Sequence, residues 1–136
     1  MQQTQQKQAG LLAIIALFSG AVFLLDLVTA LGMTEWVFYL IPVALSVFQQ
    51  NRFVPFIAAG VQTALIVAGY YFSPSGINPE MAAINRAFGA VSLYVVAALV
   101  YRVIQEKARA QELMWLQEGQ TAVAAGVLGE KDVLEA

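Results

Sequence analysis

Asp26 and Arg86 carry opposite charges inside two long apolar stretches of this chain. An ionised side chain in hydrocarbon costs a few kcal/mol or more, so it persists where it has a partner or a task. Helices running in opposite directions would bring the two to one level, where they form an ion pair. Other polar groups gather at the same depth: Thr29 nearly one turn outward of Asp26 and on its face, Tyr39 opening the second apolar segment, Tyr70 ending the third, and Asn85 beside Arg86. At ~1.5 Å of rise per residue, Asp26 and Arg86 both sit roughly 8–9 Å in from the outer boundary. Two kinds of chemistry fit. A fixed pair would pin the first helix to the fourth, with Asn85 and tyrosine hydroxyls satisfying the remaining hydrogen-bonding groups. A ligand pocket or water-accessible switch would use a pair that can break. The two readings overlap, because a switch needs a pair with two states.

Much other chemistry is excluded. The chain has no cysteine and no histidine. That removes disulfides, thiolate chemistry, histidine-ligated haem and the usual zinc or copper ligand sets, and with them the commonest general base. Neither a cofactor nor a metal is expected, and this segment by itself is not expected to be an enzyme. No basic patch is interleaved with aromatics, so nucleic acid is not an expected partner. Of the 136 residues 60% are hydrophobic and 12% charged, against about 25% charged in ordinary soluble domains. The partner this composition implies is the lipid bilayer.

The elements that must position the polar groups are four apolar spans. The first runs from Gly10 to about Gly32, after a polar, Gln-rich tail at residues 1–9. It is too long for the apolar core of a signal peptide and reads as a retained helix. The second, from about Glu35 to Phe48, is short for a span of roughly 20 residues and contains Pro42, which removes a backbone donor and kinks the helix. A re-entrant segment is the alternative there. The third covers about Phe53 to Phe72, and the fourth begins near Pro79 and reaches about Ile104. Thr34 is a plausible cap in the first connection, and Pro79 suits the first turn of the last helix. Gln62, near the middle of the third span, is placed for an interhelical hydrogen bond. Gly20, and Gly60 with Ala64, have the small-residue spacing of packed membrane helices.

Lysine and arginine set the orientation. Apart from Arg86, the six others (Lys7, Arg52, Arg102, Lys107, Arg109 and Lys131) lie on the amino terminus, the second connection or the carboxyl-terminal region. The first and third connections carry only Glu35 and Glu80. Both termini are therefore expected on the cytoplasmic side, and an even number of spans agrees with that. Trp36, Phe38, Tyr39, Tyr70, Tyr71 and Phe72 would form an outer aromatic belt, and Tyr101 with Arg102 an inner anchor. From residue 105 to 136 the composition turns polar and helical, without a break until Gly119. Leu99, Val103, Ala110 and Leu113 give one rough seam, and Leu116, Val123 and Val127 another. The expected fold is an all-α membrane protein: a four-transmembrane-helix bundle over residues 10–104, whose last helix extends into a cytoplasmic signalling helix. The sequence stops at Ala136 in a helical pattern without a cap, so the expectation is a piece of a longer protein.

The strings LLDLVTALGMTEWVFYLIPVALS, SPSG and INRAFGAVSLYVVAALVYRV together resemble the four-helix membrane domain at the amino terminus of many bacterial sensor histidine kinases. The features carrying the resemblance are Asp26 after an apolar run, Tyr39 to Val43 (YLIPV), and Asn85-Arg86 opening the last helix. It covers about Leu11 to Ile104, and the region beyond resembles a helical connector to a cytoplasmic sensory or kinase domain. What it implies is a sensor input module in the bacterial inner membrane, working as a homodimer with an output domain in cis. The signal would pass down the fourth helix through Arg102, Leu113 and Leu116. The stimulus could be a small ligand. No phosphoacceptor histidine or Gly-rich nucleotide box is present, so kinase activity would belong to residues beyond this chain. One rival is a small four-helix transporter of the multidrug-resistance type that would use Asp26 to exchange protons for a cationic substrate. Against it stand the neutralising Arg86, the fixed charge bias and the helical tail. A structural or assembly subunit is a third reading.

Overall fold

The computed structural model describes residues 2–29, 35–74 and 78–135, with side chains described between residues 3 and 127. Every element among them is helical. Helix α1 is Gln2–Val28, α3 is Val54–Phe72 and α4 is Pro79–Glu135. Between α1 and α3 lies a composite segment, in which the short α2 (Leu40–Leu45) is flanked by 3-10 turns at Glu35–Tyr39 and Ser46–Phe48. Helices α1, α3 and α4 are each long and apolar enough to cross a membrane, and the composite segment is shorter. Thr34 and the Gly32-Met33 turn, the Ser75-Gly76-Ile77 part of the third connection, and the chain end at Ala136 lie outside the described residues. By contacts the chain separates into two units, Met1–Ile104 and Gln105–Ala136.

The helix boundaries have local causes. α1 begins at Gln2, ahead of Gly10, because glutamine and lysine are good helix formers and nothing in the polar stretch breaks the winding. It stops at Val28, where the Thr29 hydroxyl turns back on its own helix and donates to the carbonyls of Leu25 (3.0 Å) and Asp26 (3.3 Å). Helix α3 follows a turn in which the Asn51 side chain accepts from the Phe53 amide at 3.0 Å, and it takes Pro55 in its first turn. Asn78 caps α4, its side-chain oxygen accepting from the amides of Glu80 (3.1 Å) and Met81 (3.3 Å), with Pro79 as the first helical residue. These are helix-start positions where free amides need an acceptor and proline loses nothing.

Pro42 shapes the composite segment. It cannot supply the amide a uniform α-helix would use, and the flanking residues wind more tightly. At ~2.0 Å of rise per 3-10 residue against ~1.5 Å for α, the fourteen residues from Glu35 to Phe48 reach roughly 25 Å, where a plain α-helix would reach roughly 21 Å.

The segments of the first unit alternate in direction. At one end the start of α1 meets the end of the composite segment: Gln49 Nε2 donates to the Gln8 carbonyl at 3.3 Å, and the Gln50 amide donates to Gln8 Oε1 at 3.2 Å. At that end too, Phe53, just ahead of α3, and Phe56 within it pack on the Tyr101 ring, with centroids 6.2 and 5.7 Å apart. Asp26, Tyr39, Ser73 and Arg86 meet at the opposite end.

Burial in this unit is inverted relative to a water-soluble domain. Its centre contains Val22, Tyr39, Val43, Ala58, Ala59, Ile66, Leu93 and Ala97; apart from Tyr39 these are small or medium side chains that let helices approach closely. Ser19, Asp26, Glu35, Ser46, Gln49, Gln62 and Ser73 are also buried, while large apolar side chains point outward, Leu17 at 75% exposure and Phe72 at 74%. Water would penalise that surface, whereas a bilayer would solvate it. The arrangement is compatible with a helical membrane protein. In the second unit the described side chains from Glu106 to Val127 are exposed, Leu113 and Leu116 among them.

Gln62, 1% exposed, bridges α3 to α1 by donating to Ser19 Oγ at 2.6 Å, and Ser19 donates onward to the Ile15 carbonyl at 2.8 Å. Its other amide atom, Oε1, meets no donor among the described residues. Flipping the amide would orphan the opposite end instead. An unsatisfied buried polar atom costs about 1–3 kcal/mol, comparable to what the bridging bond returns. Gln62→Met, of similar shape, is therefore expected to leave stability unchanged or raise it by up to about 1 kcal/mol. Thermal unfolding in detergent micelles measures this, and a clear loss would mean that Gln62 has a partner of greater worth.

Candidate functional site

The site is built where the four segments of the first unit converge. Asp26, near the end of α1, is 2% exposed, and Arg86, two turns into α4, is 11% exposed. They pair fork to fork, Arg86 Nη2 donating to Asp26 Oδ1 at 2.6 Å and Nη1 to Oδ2 at 3.0 Å. Parallel double bonding of this kind is the strongest ion-pair geometry available to side chains. Nη1 also donates to the Ile66 carbonyl of α3 at 2.7 Å. From the composite segment the Tyr39 hydroxyl donates to Asp26 Oδ2 at 3.2 Å. Ser73, at the end of α3, donates to the backbone carbonyl of Asp26 at 2.6 Å. Each segment therefore contributes at least one bond.

Gly69 makes this convergence possible. A Cβ there would overlap Asp26 Oδ2 and stand 2.9 Å from Arg86 Nη1, so the pair occupies the volume a side chain would fill. A second close approach lies next to it. Trp36 packs on Gly89 of α4, whose Cβ would stand 2.9 Å from the indole, and Trp36 Nε1 donates to Asn85 Oδ1 at 2.9 Å.

Of the residues singled out in the sequence, Asp26, Tyr39 and Arg86 form one bonded cluster. Asn85 faces Trp36, where the expectation had it completing the ion pair, and Trp36 is a packing residue more than a belt residue. Thr29 spends its hydroxyl on its own helix end. Tyr39 is fully buried, which removes it from the expected aromatic belt, whereas Phe38, Tyr71 and Phe72 are exposed. The Tyr70 ring meets Tyr71 edge to face at 5.5 Å and lines a cleft with Arg86. Arg102 is exposed near the other end of the first unit, about 24 Å along α4 from Arg86. Leu113 and Leu116 belong to the second unit. Gly69, Ser73, Trp36 and the Ile66 carbonyl were not foreseen. A signal for Gly69 existed: it is a small residue on the third segment at the depth of Asp26.

Among the described residues no group of three or more acidic side chains is placed to hold a metal ion. The pair is electroneutral and its carboxylate is buried, so its chemistry is that of a clamp, which opens only if Asp26 or Arg86 exchanges partners. Comparison with protein-family models, curated proteins and solved structures found no match to this chain.

Two outcomes follow. Asp26→Leu or Arg86→Met alone should each cost about 3–5 kcal/mol by stranding the other charge, whereas the two changes together should cost far less. Unfolding of the four proteins in detergent completes that cycle, and additive losses would contradict a coupled pair. Gly69→Ala should destabilise more than Gly89→Ala, because the former would overlap a bonded carboxylate oxygen whereas the latter comes no nearer than 2.9 Å to the indole; the same unfolding assay ranks them.

Proposed function

We propose that this chain is the membrane input module of a bacterial signal-transduction protein, a sensor histidine kinase in class, and that it relays its signal along α4. The observation that carries the reading is the attachment of α4. Arg86, near the start of α4, is held by Asp26, and the same helix supplies the residues of the second unit. A stimulus that loosens or re-aims the pair acts on the one element that continues beyond the bundle. Such a pair is a discrete two-state contact of the kind that converts a small local change into a helix movement. The resemblance of the Asp26, YLIPV and Asn85-Arg86 features to sensor-kinase membrane domains supports the same reading.

In this proposal the chain crosses the inner membrane four times with both termini in the cytoplasm. The composite segment is the second span, its tight winding bringing it nearer to the ~30 Å hydrocarbon thickness. Two copies pair through exposed seams of α4, where Leu99, Val103 and Leu113 lack cover within one chain, and an output domain follows in cis. The stimulus is a small ligand or a change in the bilayer. A transporter of the multidrug-resistance type would need an acid that meets a cationic substrate. Asp26 is 2% exposed with both oxygens bonded to Arg86, which favours the sensor reading.

Asp26→Asn in the full-length protein keeps the shape of the site and removes the charge attraction. It should lock the output in one state, read as a phosphorylation rate that no longer responds to conditions that alter the wild type. A response unchanged from the wild type in a folded variant would discard the proposal. Topology is tested separately: a reporter active only outside the cytoplasm should be silent when fused after Arg52 or at the carboxyl terminus, and active when inserted in the first or third connection.

A further inference from the structure

Beside the ion pair, between α3 and α4, the bundle surface opens into a cleft of about 270 Å³. Its walls are Ile66, Val67, Ala83 and Ala87, and its polar groups are Arg86 and the two tyrosines Tyr70 and Tyr71. Ala83, Ala87, Val67 and Tyr71 are exposed, so the opening faces whatever surrounds the helices. The volume lies just under the roughly 300 Å³ at which pockets begin to enclose a whole drug-sized molecule. It suits a ring or the head of a longer apolar molecule.

The donors on the cleft decide what that head must be. A guanidinium has five N–H groups. Three of those on Arg86 are engaged by Asp26 and Ile66, and among the described residues the other two, like the Tyr70 hydroxyl, meet no acceptor. The site therefore offers hydrogen bonds to an oxygen. Asp26 already neutralises Arg86, so an anionic ligand would leave a net negative charge in an apolar setting, at a cost of several kcal/mol. A neutral acceptor carries no such penalty. Depth argues for a free molecule over a bilayer phospholipid: Arg86 is seven residues into α4, roughly 10 Å from its start, whereas glycerol esters sit at the membrane boundary.

We propose that this cleft binds a neutral molecule dissolved in the lipid phase that presents a carbonyl oxygen to Arg86 and Tyr70. The inference rests on the membrane placement proposed above, and it supplies the chemical class of the small ligand. A ligand bonded to the free N–H groups bears on the same guanidinium that clamps α4.

Benzophenone, a neutral diaryl ketone that crosslinks on illumination, tests this with purified full-length protein in phosphatidylcholine vesicles. Crosslinks mapped by mass spectrometry should concentrate on the walls of the cleft, at Val67, Tyr71, Ala83 and Ala87. Ala87→Trp, an exposed position whose new ring fills the cleft, should abolish them while sparing sporadic labelling elsewhere. Decan-2-one should compete about tenfold better than decane, the worth of a hydrogen bond to a charged donor, and better than decane-1-sulfonate. Tyr70→Phe should narrow the gap between ketone and alkane. Labelling spread evenly over the outer surface, equal competition by decane, or strongest competition by the sulfonate would each overturn the proposal. So would labelling seen in ether-linked lipid vesicles but lost in ester-linked ones, since bilayer esters would then be the occupant. None of these readouts depends on kinase output, so the cleft and the sensor reading can fail independently.

Discussion

A carboxylate and a guanidinium removed from water must be held by something other than solvent, and in this chain the holding is shared among four segments. Asp26 and Arg86 supply the charges, Tyr39 a hydroxyl, and α3 a carbonyl, the Ser73 hydroxyl and the empty space at Gly69. Desolvating such a pair costs several kcal/mol per ion, which only good geometry and further hydrogen bonds recover. That requirement fixes relative heights. The end of α1, the start of the composite segment, the end of α3 and the start of α4 have to lie at one level, and the alternating directions of the segments follow from it.

The rest of the first unit is arranged around weaker terms. In the membrane setting proposed above, apolar burial gives little drive for helices to associate, and close packing with scattered polar bridges takes over. Ala58, Ala59 and Ala97 in the centre, with Gln62 bridging to Ser19, are of that kind. At the opposite end Phe53 and Phe56 hold Tyr101 through ring contacts, while Gln8 ties α1 to the residues ahead of α3. The two ends thus differ in character: one is charged and geometrically strict, the other is aromatic, amidic and more forgiving.

Long apolar runs and turn residues made the helices legible in the sequence, because uninterrupted winding and the loss of a proline amide act locally. Asp26 and Arg86 stood out for the same reason, since an isolated charge in an apolar run violates a strong local rule. What stayed hidden depended on rotation about helix axes. Asn85 and Arg86 are adjacent, yet one faces Trp36 and the other Asp26. Thr29 shares a face with Asp26 but satisfies the helix end first. Gly69 and the Ile66 carbonyl gain their roles only once α3 lies against both charged side chains. The mixed winding around Pro42 was foreseen as a kink, and its lengthening effect needed the backbone to be seen.

The two charges are separated by sixty residues of chain. A ribosome adding about 5–20 residues per second delivers Arg86 roughly 3–12 s after Asp26. For that interval three segments exist with a lone acid and no counter-ion. On the membrane reading, the cluster described above is a product of the last helix to be made. Biogenesis therefore has a built-in order: α1 cannot reach its final environment until α4 has arrived, and a chain interrupted before Arg86 is left holding an unmatched charge.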